Sequence, residues 1–291
     1  MNRPSSIQQV EQELSDSQTH SIIKSIGIPA RPMTLVKLQQ EVQSDDPDLH
    51  KIAELVVSDV TISVAVLRTV NSSAFSLSRK CETVEQAVAL VGFKRLENLV
   101  TTLVLRNLVK GDPQKLTYFW DISAKRSYVM SRLARGLGVI DEDIAQSFGL
   151  FCDVGIPLLM QRFPEYERTL VLCNSETERT FTEVEQSIHQ TDHALVGAIM
   201  ARSWELSTTL CLSIRLHHDY AMLEDTRTPE AVTKLVAMNL IAEAAIQRFH
   251  FMKSVEWMKG GKAAAFALSL SDYEVEDWID RLSYDLTSWS V

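Results

Sequence analysis

At 291 residues, with 45% hydrophobic side chains, the chain can bury a large core as one domain or two. Its net charge of −9 leaves acids and bases interspersed, which gives no basic face and excludes non-specific nucleic-acid binding. Met1–Ser6 lacks the apolar segment of a signal peptide and no apolar run of membrane-spanning length stands out, so a cytoplasmic protein without membrane contact is expected.

No strand pattern emerges. Glycine and proline fall at segment ends, which predicts helices joined by short turns. Asp46-Pro47-Asp48 opens a helix through Ile52, Leu55 and Val56. Asp59 or Thr61 starts the next, with Ile62, Val66 and Val70 on one face. Asn71-Ser72-Ser73-Ala74-Phe75 ends it, where Asn and Ser side chains can satisfy the last carbonyls. Thr83 with Gln86 three residues on is a capping box, and Gly92 breaks the helix it opens. Leu96, Leu99, Val100, Leu103 and Val104 then recur at helical spacing.

Gly111-Asp112-Pro113 is the clearest punctuation. It separates a helical lobe over residues 1–110 from a second over residues 111–291. It also opens a long helix carrying Trp120, Ser123, Met130 and Leu133. Asp141 caps a helix through Phe148, Phe151, Cys152 and Leu158 that Pro164 stops. Shorter helices are expected over residues 165–174, 181–189, 192–205 and 207–218. Thr228-Pro229-Glu230 caps a helix through Ala245 that is apolar on nearly every face, and so central. Gly260-Gly261 separates it from C-terminal segments rich in Trp257, Phe266, Trp278 and Trp289.

Few residues carry chemistry. Cys81, Cys152, Cys173 and Cys211 are far apart, which suggests reduced, half-buried thiols rather than a zinc ribbon. Cys152 falls on an apolar helix face. Asp153 beside it reads as a carboxylate bonded to a basic side chain or a helix end. His193 follows a capping Asp192 and reads as a satisfied core imidazole. His217 and His218 are adjacent, and neighbours on a helix point about 100° apart, so at most one should face a given site.

Several runs in a fixed order resemble the HDOD family, the HD-related output domain of bacterial signalling. They are Leu55–Val60, Val64–Phe75, Thr83–Phe93, Lys94–Val100, Phe119-Trp120 with Ser123, Phe151–Gly155, Asp192–Gly197 and His217-His218. Together they cover roughly residues 28–220. The resemblance implies an all-α fold, with an N-terminal bundle packed on an HD-like bundle and C-terminal helices. It also implies a regulatory role, usually without demonstrated catalysis. Where an HD hydrolase has an adjacent His-Asp pair of metal ligands, this chain has Cys152-Asp153, and the upstream Phe119–Ser123 offers no histidine. No cofactor is therefore expected; a divalent metal on Asp153, His193, His217 and His218 is the residual alternative. The expected function is that of a non-catalytic signalling protein acting through contacts with a separate protein partner. The alternatives are a weak metal-dependent phosphohydrolase using those four residues, and a sensor. In the sensor, a degenerate pocket of Cys152, Asp153, His193, His217 and His218 binds a nucleotide or other small molecule without turnover.

Overall fold

The structure, a computed structural model, describes Val10, residues 25–71 and residues 80–288. These residues are helical, and no strand occurs among them. Two compact units meet in sequence at Gly111, one spanning Pro29–Lys110 and the other Gly111–Thr287. Residues 25–28 group with the second unit.

The first unit holds α1 (Met33–Val42), α2 (Leu49–Val57), α3 (Val60–Val70), α4 (Val84–Val91) and α5 (Phe93–Leu108). Local chemistry sets its boundaries. Asp48 accepts from the N–H groups of His50 and Lys51 to start α2. Asp59, rather than Thr61, does the same for α3. Thr83 and Gln86 close the capping box of α4, and Gly92 ends that helix at φ +84°, a region L side chains avoid. Asn71 caps α3, and its amide bonds both backbone groups of Cys81, at 2.9 and 2.7 Å. Ser72–Phe75 and Trp289 lie outside the described residues.

The second unit holds α6 (Pro113–Leu137), α7 (Glu142–Phe151), α8 (Gly155–Arg162), α9 (Tyr166–Ser175), α10 (Phe181–His189), α11 (His193–Ser203) and α12 (Thr208–Leu216). After a 3-10 turn at Tyr220–Leu223 come α13 (Glu230–Phe249), α14 (Val255–Ala267) and α15 (Asp272–Ser288). Asp112 caps α6, with proline at its first position. Helix α13 is the axis of this unit and packs against α6, α12 and α14. Val232, Leu235, Val236, Met238 and Ile241 are buried along it, as its all-round apolar pattern requires. It starts at Glu230 with Pro229 as cap, and runs past Ala245 to Phe249.

Three sequence expectations give way here. The helix expected from Asp141 to Pro164 is two helices, broken between Phe151 and Gly155. A Cβ on Gly155 would stand 2.0 Å from the His193 carbonyl oxygen, so only glycine lets α8 start against the first residue of α11. Gly260-Gly261 lies inside α14 and separates nothing. A Cβ on Gly260 would meet the Tyr220 ring at 2.7 Å, and one on Gly261 the Trp257 indole at 2.5 Å. Close packing thus offsets the roughly 1 kcal/mol each glycine costs a helix. Finally, Glu142–Arg162 has membrane-spanning length and a mean hydropathy of 1.3. It is apolar because it forms core: 61% of it is buried, and it contains the α7–α8 break.

Candidate metal centre and adjoining cavity

Three separate chain segments converge beside that break. Asp153 sits in the turn after α7, His193 is the first residue of α11, and His217-His218 follow the end of α12. One ligating atom from each of Asp153, His193, His217 and His218 lies within 4.8 Å of the others. His193 Nε2 is 3.1 Å from His217 Nε2, and Asp153 Oδ1 is 3.2 Å from His217 Nε2 and 3.6 Å from His193 Nε2. Both members of the histidine pair join the cluster, against the expectation that one would turn away. The 100° rule applies inside a helix, and α12 ends at Leu216 with His217 as its cap.

Each imidazole is held from behind. His193 Nδ1 donates to Glu185 Oε2 at 2.7 Å, and Tyr166 donates its hydroxyl to the other Glu185 oxygen. His217 Nδ1 donates to the Ile214 carbonyl at 2.7 Å. His218 Nδ1 lies 2.8 Å from Glu256 Oε2, and Lys259 donates to Glu256 Oε1 at 2.7 Å. This is the outer shell that metal-binding histidines use, a carboxylate or carbonyl on one nitrogen that fixes the ring and frees the other.

Burial penalises charge throughout, and partners decide where it survives. Burial pushes the Asp153 carboxyl up, but the Arg126 guanidinium 2.6 Å from Oδ2 holds it well below its ordinary range, as an anion. Burial presses His193 down, yet Glu185 and Asp153 lift it to about 9. Burial and the neighbouring His218 take His217 down to about 4. His217 is thus neutral with its proton on Nδ1, and its Nε2 lone pair faces the Nε2 proton of His193. Two acceptors, Asp153 Oδ1 and His217 Nε2, converge on that one proton. The donor set fits a single divalent cation of the zinc, manganese or iron type in the proton's place.

The fifth candidate, Cys152, is 0% exposed and does not belong to the four-residue cluster found among the described residues. Its sulfur accepts from Arg126 Nη1 at 3.3 Å, and burial drives its thiol well above the ordinary range. Arg126 also lies 3.8 Å from Glu243 Oε2, so one buried guanidinium serves Cys152, Asp153 and Glu243. A cavity of about 520 Å³ adjoins the centre, lined by Arg126, Asp153, Phe181 and Glu243 among others. His193, His217 and His218 are not among its lining residues. Phe181 lines the cavity, its ring centroid 5.1 Å from that of His193 and 5.0 Å from that of His218.

Sequence reasoning missed Arg126, Glu185, Glu243 and Glu256. Each is a charged residue within a helix, where the ordinary reading is a solvated face. The one available signal was the all-round apolar character of α13, which makes Glu243 a charge in a buried helix.

Among the described residues the fold is all-helical, and Asp153, His193, His217 and His218 form a possible metal-binding cluster. The family model of the HDOD domain matches residues 28–220, and the chain belongs to that family. An HDOD domain protein of unknown function from Geobacter sulfurreducens superposes with a TM-score of 0.71 at 21% identity, covering 96% of both chains. A protein from Shewanella amazonensis, named as a phosphohydrolase, gives 0.69 at 20% identity, over 93% of this chain and 95% of that one. A protein from Marinobacter aquaeolei, named for signal transduction, gives 0.69 at 18% identity, over 90% of this chain and 58% of that one. An uncharacterized protein of Treponema pallidum (strain Nichols) is 25% identical over 79% of this chain and 45% of its own length. The chain spans under half the length of the curated relatives it matches.

Proposed function

We propose that this chain is a non-catalytic HDOD signalling module that acts on a separate protein. In this reading, Asp153, His193, His217 and His218 hold one divalent cation as a structural element of the second unit. One observation carries it: of the four ligands only Asp153 lines the cavity, and its Oδ2 is engaged by Arg126. A hydrolytic centre must offer an activated water on a face open to substrate. Here the Phe181 ring lines the cavity and packs on His193 and His218, and Arg126 engages both Asp153 and Cys152. A bound cation would supply positive charge to Asp153. The chain's own residues fix the ring orientations through Glu185, Ile214 and Glu256, and keep Asp153 ionised through Arg126.

The test is metal content after chelator-free purification, paired with hydrolysis assays. The assays use bis(p-nitrophenyl) phosphate, nucleotides and cyclic dinucleotides with added Mn²⁺, Mg²⁺ or Fe²⁺. The expected result is about one equivalent of metal, lost in His193→Ala, and no turnover. Metal-stimulated turnover that disappears in Asp153→Ala, and in His217→Ala or His218→Ala, would overturn the proposal in favour of a weak phosphohydrolase.

A further inference from the structure

The turn between α13 and α14 leaves an aromatic ring in solvent. Helix α13 closes with the Met252 N–H on the Gln247 carbonyl at 2.8 Å and the Phe251 N–H on the Arg248 carbonyl at 3.0 Å. That pair of bonds is a Schellman cap, and it puts Phe251 at the left-handed position, φ +58°, where glycine is the usual residue. The other non-glycine residues described with positive φ are Gln190, Glu205 and Ser269, all polar. Phe251 is 99% exposed, so no packing within the chain offsets the strain of a bulky side chain there.

Other apolar side chains continue this surface. Met252 is exposed beside Phe251, and Met258 and Phe266 project from α14 at 72% and 81% exposure. Lys262 falls between them, so residues 258, 262 and 266 form one stripe at helical spacing. Phe251, Met252, Trp257 and Met258 line a groove of about 490 Å³, together with Ile279 of α15. Gly261 lets the Trp257 indole lie against α14 as part of that groove. Charge selects the occupant. From His250 to Leu270 the only acid is Glu256, which is buried and bonded to His218 and Lys259. Lys253 and Lys262 are exposed and make no ion pair among the described residues. Two unspent cations therefore border an apolar face in a chain of net charge −9. Arg248, the remaining cation of the groove, is already paired with Glu276 and Asp280. A flat anionic bilayer pressed over the groove would face Glu276, which also lines it, whereas a helix laid along α14 keeps to the lysine side.

We infer that this face docks an amphipathic helix of a protein partner, its apolar side on Phe251, Met258 and Phe266 and its acidic residues toward Lys253 and Lys262. Met258 to Phe266 spans about 12 Å of helix, so the partner contributes at least two turns. The inference rests on the reading that the chain acts on a separate protein, and it names the surface and the partner's chemistry.

The experiment selects peptides from a randomised helical display library on the full chain, then titrates the most enriched peptide by fluorescence anisotropy. Enriched sequences should carry apolar residues at helical spacing with an excess of Asp and Glu, and bind with Kd of about 1–100 µM. Phe251→Gly installs the usual residue of a left-handed cap, so it should not lower Tm, yet it should weaken binding at least tenfold. Lys253→Glu combined with Lys262→Glu should weaken it as much. A peptide whose acids are exchanged for lysine should bind that double variant better than the original chain. The inference is overturned if no peptide is enriched, if the enriched peptides lack an acidic excess, or if affinity is unchanged in either variant. A lowered Tm in Phe251→Gly would give the ring a packing role and overturn it too. So would binding to phosphatidylglycerol vesicles, or self-association of the chain, that Phe251→Gly abolishes. Absence of both turnover and peptide binding would sink this inference alone, whereas turnover with peptide binding intact would sink the non-catalytic reading alone.

Discussion

Replacing Arg126 by methionine removes a charge and keeps an unbranched side chain of comparable length. Arg126 is 4% exposed, and its guanidinium faces Asp153 at 2.6 Å, Cys152 Sγ at 3.3 Å and Glu243 at 3.8 Å. Without it, in protein stripped of metal with EDTA, Asp153, whose side chain is 15% exposed, keeps only partial neutralisation from His193. Breaking a buried pair from one side costs about 3–5 kcal/mol, because the other charge is left uncompensated. In a unit the size of Gly111–Thr287, each kcal/mol moves Tm by about 2–4 °C, so Arg126→Met should lower it by roughly 6–20 °C. The double variant Arg126→Met with Asp153→Asn removes the stranded charge and should recover at least about 1 kcal/mol. Urea denaturation followed at the helical circular-dichroism band, with calorimetry alongside, measures both. A single variant losing less than about 1 kcal/mol, or a double variant no more stable than the single, would refute the role given to Arg126.

Gly155→Ala places a methyl 2.0 Å from the His193 carbonyl oxygen, a backbone atom that cannot step aside, and should cost about 3 kcal/mol, the upper end of overpacking. An unchanged urea midpoint would show that α8 and α11 do not meet as described. Native Cys152, fully buried with its thiol pushed up, should resist a thiol reagent. Rapid labelling that vanishes in Cys152→Ser would contradict this. Glu176 accepts from the Glu178 backbone N–H at 2.9 Å and from Arg179 at 3.0 Å, which hold it down to about 2. Its folded pKa is depressed, so its contribution is present above the ordinary carboxylate range and is lost as pH falls through about 2. An NMR midpoint above about 4 would rule out the hydrogen bonds that depress it.

What could be read from the sequence depended on how local its cause was. Asp48, Asp59, Thr83 with Gln86, and Asp112-Pro113 act on backbone groups within a few residues, and each caps the helix it was expected to cap or precede. The break before Gly155 does carry a local mark, Pro157 in the first turn of α8, which removes a helical N–H, whereas the close approach to α11 that requires glycine at 155 is invisible to periodicity. The same holds for the centre. His193, His217 and Asp153 stand out by residue type, whereas Glu185 is an ordinary helical glutamate until the fold buries it completely against His193 and Tyr166. His217 and His218 were misjudged because helical geometry was extended two residues beyond the end of α12.

The contact between Arg126 and Cys152 ties the two positions to each other. A histidine at position 152 would thrust its ring toward a guanidinium that already lies 3.3 Å from the sulfur. Exchanging Arg126 first strands Asp153 and Glu243. The two positions are therefore coupled: either substitution made alone disturbs contacts that a joint exchange would leave matched.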